Sequence, residues 1–155
     1  MKAHCFSLLT SLLMVLLAEA ASGGGLMVHE AWVMLPPPHS SAAAFMKIHN
    51  HTGEEVVLVG AATESASRVE IHESMISNGV AQMKRREALS IPAGETLVLA
   101  PKALHFMLIE PVDLSEGDEV QIELQFEAGQ AVKFQAPVRR EPSADEPGSH
   151  HHSHH

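Results

Sequence analysis

The chain has 155 residues, 45% hydrophobic and 19% charged, the composition of one globular domain with one core. Ten Lys and Arg against 19 Asp and Glu give a formal net charge of -9, which excludes a phosphate-backbone partner, because nucleic-acid binding requires clustered cations. Twelve His and eight Met stand beside one Cys and no Tyr, so metal ligands other than thiols are over-supplied.

In chain order, Lys2, the apolar stretch Phe6 to Leu17 and the small residues around Ala18-Glu19-Ala20 read as a cleavable secretory signal, residues 1–20. The apolar stretch is shorter than the roughly 20 residues of a spanning helix, so no membrane insertion is expected after cleavage. Cys5 precedes that stretch and cannot be a lipid acceptor following it, so the exported chain contains no cysteine. A thiolate copper site of the blue-copper kind and a thiol–disulfide oxidoreductase are both excluded.

From 21 to 140 a single domain is expected. Segments rich in Val, Ile, Leu and Phe near 28–35, 43–50, 55–61, 68–74, 81–86, 95–100, 105–110, 119–126 and 131–138 are separated by Pro, Gly and Asn turn chemistry. Nine short strands at this spacing predict an all-β, antiparallel β-sandwich or barrel. Val120, Ile122, Leu124 and Phe126 alternate with polar residues and mark a half-buried strand. Residues 141–155 turn polar and proline-containing and end in His150, His151, His152, His154 and His155, which predicts a disordered, His-rich tail.

The chemistry concentrates in His72, Met83, His105 and Met107. Asn78-Gly79 favours a two-residue type I′ hairpin, which would pair Ser77 with Val80, Ser74 with Met83 and His72 with Arg85. His72 and Met83 then become diagonal neighbours on one face. His105 and Met107, two apart, share one face of their own strand. If that strand approaches the hairpin, two imidazoles and two thioethers surround one point. Thioethers are neutral and soft, so the set selects Cu(I) over Zn(II), Ca(II) or Mg(II). Methionine is also a common core filler, and strict alternation puts Met75 on the opposite face, as a pocket neighbour or packing residue and not a ligand. His29, His39, His49 and His51 have no partner at diagnostic spacing and read as surface or hydrogen-bonded residues.

The spacing from His72 over ten residues to Met83, over twenty-one to His105 and over one to Met107 resembles the signature of the PCu(A)C periplasmic copper chaperones. His29-Glu30-Ala31-Trp32-Val33, Ala43-Ala44-Phe45-Met46, Val69-Glu70-Ile71-His72-Glu73 and Leu104-His105-Phe106-Met107-Leu108 support the resemblance, which covers about residues 28–138. Ala103-Leu104 stands where that family commonly has glycines. The resemblance implies a cupredoxin-like sandwich, a monomer, that binds Cu(I) in the periplasm. It further implies delivery to the CuA centre of cytochrome c oxidase subunit II, in concert with Sco-type proteins, and a His-rich tail that takes Cu(II). No enzymatic turnover is expected. The competing expectation is a storage or resistance protein that sequesters copper through its tail.

Overall fold

A computed structural model describes residues 25–140. The expected signal, residues 1–20, and the tail from 141, with its five His, lie outside the described residues. The described chain forms ten strands: β1 (Leu26–Met34), β2 (Ala42–Asn50), β3 (Val56–Ala62), β4 (Ala66–Ser77), β5 (Val80–Arg86), β6 (Leu89–Ile91), β7 (Thr96–Leu99), β8 (Leu104–Pro111), β9 (Glu119–Phe126) and β10 (Ala131–Arg139). Among the described residues there is no helix, and the all-β expectation is met.

The strand order is β5-β4-β8-β2-β1-β10-β9-β3-β6, with β7 continuing the β8 side of β2. All but one of the pairings are antiparallel. The exception is β1 with β10, which run parallel through Val33 opposite Val138 and join the two halves of the structure. A parallel partner is distant in sequence and needs no local turn, so turn chemistry could not announce it. The three-residue β6, pairing Leu58 and Val56 with Leu89 and Ile91, is too short for an alternation signal.

The core lies between the two halves. Ala44, Met46 and Ile48 of β2 and Phe106 and Leu108 of β8 meet Val120, Ile122, Leu124 and Phe126 of β9, all buried. The alternation read from β9 is therefore a core face. Odd-numbered residues of β2 and β8 point the other way, onto the outer face that carries His105 and Met107.

Two local features shape that outer face. β1 slips register between His29 and Trp32, where Glu30 takes a left-handed φ of 52°. This bulge shifts the phase of the strand, so that Val28 and Val33 both face inward while Trp32 pairs with Phe45 on the outside. At the other end of β2, Asn50 is fully buried and its side chain knots three loops. Its amide donates to the carbonyls of Glu54, Ile91 and Pro92, and its oxygen accepts from the Thr52 amide and hydroxyl.

Candidate metal centre

The β4–β5 hairpin turns at Asn78 and Gly79, both left-handed at φ 51° and 75°, as a type I′ turn demands. The register that follows pairs Ser77 with Val80, Ser74 with Met83 and His72 with Arg85, without a bulge. It is the register the Asn-Gly pair predicts. Met75 sits opposite Gln82 and therefore lies on the face away from His72, where it is exposed and not packed as expected.

On its other side β4 pairs with β8, and the register sets His72 directly across from His105 and Glu70 across from Met107. The two imidazoles lie edge to face with centroids 5.9 Å apart. His72 Nδ1 approaches Met83 Sδ at 3.1 Å. At bond lengths of about 2.0 Å to nitrogen and 2.3 Å to sulfur, that separation subtends roughly a right angle at a shared ion. Met107 occupies the next cross-strand row on the same face as His105, half-buried between Glu70 of β4 and Ala43 of β2. The four residues thus share one surface, with His72, Met83 and His105 grouped and Met107 one row along. A separate cleft, lined by Pro36, Pro37, Pro38, His39, Glu110 and Arg140, holds none of the four.

Each imidazole has one nitrogen held by the protein. His72 Nε2 lies 2.9 Å from Glu70 Oε2, to which it donates its proton, leaving the Nδ1 lone pair directed toward the methionine. His105 Nδ1 donates to the Ala103 carbonyl at 3.0 Å, leaving Nε2 as its free donor atom. The same carbonyl accepts from the Ser74 amide. Lys102 takes a left-handed φ of 63° in this loop, a conformation that glycine adopts at lower cost. Fixing one nitrogen selects the tautomer and aims the other, as outer partners of metal-binding histidines do.

Glu70 was not singled out from the sequence as part of the site. Its carboxyl is held down from 4.5 to about 2, chiefly by the hydrogen bond from Arg68 and next by that from His72, with the charges of Arg85 and Arg68 adding to them against a desolvation cost. A depressed carboxylate contributes what it stabilises above its ordinary value and loses it only as pH falls through the folded value. The orientation of His72 by Glu70 therefore persists throughout the mildly acidic range. A carbon-detected titration of the Glu70 carboxyl is expected to show a midpoint near 2; an ordinary midpoint near 4.5 would contradict the bonding described.

Exposure differs across the group. Met83 is 54% exposed, whereas His105 is 4% exposed beneath the sheet surface. His105 is backed by Phe45 at 6.2 Å between centroids, Phe45 by Trp32 at 4.8 Å, and Trp32 by the Arg139 guanidinium at 4.4 Å. This row fixes the β8 side, while the hairpin side ends in the exposed apolar residues Ile76 and Val80. Of the remaining histidines, His29 faces Lys47, His39 lines the cleft above, and His49 and His51 stack at 4.0 Å, a pairing the sequence reading did not foresee. The five tail histidines lie outside the described residues.

Residues 26–138 match the family described as "Putative lipoprotein LpqE-like". A "Putative lipoprotein Lxx21020" of Leifsonia xyli subsp. xyli is 32% identical over 105 residues, which are 66% of this chain; the chain spans 63% of that protein's length. The solution structure of "CuI-DR1885" from Deinococcus radiodurans is 32% identical, covering 81% of this chain and 87% of that one, with a TM-score of 0.62. The "Copper-bound PCuAC domain from PmoF2" superposes with a TM-score of 0.64 over 77% of this chain and 97% of that one, at 20% identity, a likeness of fold. The chain belongs to the LpqE-like family.

Proposed function

We propose that the protein is an extracytoplasmic copper chaperone that carries Cu(I) on His72, Met83, His105 and Met107 and gives it up to an acceptor protein, with no catalytic turnover. The observation that carries this reading is the convergence of the His72 Nδ1 lone pair and the Met83 thioether at 3.1 Å, opposite the His105 ring. Neutral nitrogen and thioether donors favour monovalent copper, and the absence of thiolate keeps the hold weak enough for release. The half-exposed Met83 and the apolar hairpin tip give an incoming acceptor direct access to the ion. Relatives described as copper-bound support the same cargo.

The finer parts of the proposal are a periplasmic location following cleavage near residue 20, the CuA domain of cytochrome c oxidase subunit II as acceptor with Sco-type proteins assisting, and Cu(II) capture by His150, His151, His152, His154 and His155. The tail would bind with a steep pH dependence, since imidazole must be neutral to coordinate. Five His in the last six positions also favour a second reading, sequestration. Mixing the Cu(I)-loaded protein with an apo CuA domain separates the two. Chaperoning predicts stoichiometric appearance of the CuA absorption after oxidation. Retention of copper by the donor, with protection against free copper intact, would establish sequestration instead.

A further inference from the structure

We propose that Met27, His49 and His51 form a second soft-metal site on the same sheet face, separate from the His72 cluster and suited to Cu(I). The buried Asn50 anchors the end of β2, and the residues on either side of it project together onto the outer face. There the His49 and His51 rings meet edge to face with centroids 4.0 Å apart. The Thr96 hydroxyl lies 2.6 Å from His49 Nδ1 and fixes that ring through one nitrogen, leaving Nε2 to coordinate. Directly across the β1–β2 ladder from His49 stands Met27, a 47% exposed thioether at the sheet surface. Residues directly opposite in a non-bulged antiparallel pair have Cβ atoms about 5 Å apart, within reach of a methionine and an imidazole sharing one ion.

The donor set decides the ion. Among the described residues no three His, Cys, Asp or Glu side chains gather to hold a metal, so this position has no third hard or borderline ligand to offer. Two imidazoles and one thioether suit Cu(I). The neighbouring His29 faces Lys47 and, among the described residues, does not gather with His49 and His51 into a group of three. His49 lies four residues along β2 from Phe45, the residue that backs His105, or about 13 Å of strand. The two positions are therefore too far apart to share an ion, and each would load its own.

The test uses the full exported chain with the five tail histidines replaced by serine, so that they do not compete. Histidine ring nitrogens and methionine methyls are followed by NMR during anaerobic Cu(I) titration. Beyond the ion that moves His72 and His105, a further equivalent is expected to shift His49, His51 and the Met27 methyl at one common concentration. Met27→Leu or His51→Gln is expected to weaken that second event about tenfold or more while leaving the first in place, and Thr96→Val to weaken it about tenfold. Both Met27 and His51 are exposed, so these variants retain the fold. His49 and His51 signals that stay unmoved at excess copper, that move at different concentrations, or that move unchanged in both variants would overturn the site. Movement of this group without movement of His72 and His105 would uphold it while removing the chaperone centre.

Discussion

Met83→Leu is expected to weaken Cu(I) binding by about tenfold to a hundredfold, at least as much as losing a partner that merely orients a ligand. The unfolding free energy should stay within about 0.5 kcal/mol, because the side chain is 54% exposed and packs little. His105→Gln should weaken binding by a similar factor but also lower stability, since that ring is buried against Phe45 and bonded to the Ala103 carbonyl. Competition against a chromophoric Cu(I) chelator, run beside urea unfolding, separates the two effects. Unchanged copper affinity in Met83→Leu would show that the 3.1 Å approach of His72 and Met83 has no part in binding.

The largest effect on stability is expected at Asn50. Its side chain makes five hydrogen bonds to the 51–54 turn, to β6 and to the loop after it, and it is fully buried. Asn50→Ala strands the buried Ile91 carbonyl and removes four further bonds to part-buried partners, which costs about 2–4 kcal/mol. Asn50→Asp should not rescue the fold, because a carboxylate would face the three carbonyl oxygens that now accept from the amide. Urea denaturation measures both, and a loss below about 0.5 kcal/mol for Asn50→Ala would show that the knot is not what closes this end of the molecule. The same substitution should release His49 and His51 from their common face.

The cluster of His72, Met83, His105 and Met107 was legible because each step of it is local or periodic. Asn78-Gly79 sets the hairpin register by itself, which puts Met83 diagonal to His72, and a two-residue spacing puts His105 and Met107 on one face whatever β8 pairs with. The contact between β4 and β8 was an expectation conditional on topology, and the direct opposition of His72 and His105 is where the fold supplies what spacing could not. Glu70 escaped notice because a carboxylate two residues from a histidine on a strand is common; the spacing puts both on one face, and the structure adds the 2.9 Å bond between its Oε2 and Nε2. Trp32 reaches the outer face through a bulge that no alternation reveals, since the irregularity lies in Glu30's backbone and not in its side chain. His49 and His51 looked unpartnered for a similar reason. Their association depends on Asn50 being turned inward, and a lone asparagine in a strand-ending segment reads as a turn residue.

The most direct measurement is X-ray absorption at the copper edge on the chain carrying one equivalent of Cu(I), with the tail histidines replaced by serine. A first shell of nitrogen and sulfur, whose sulfur component falls in Met83→Leu and again in Met107→Leu, is the predicted result. A shell of light atoms alone, the same in all three proteins, would contradict the cluster as the carrier of the metal.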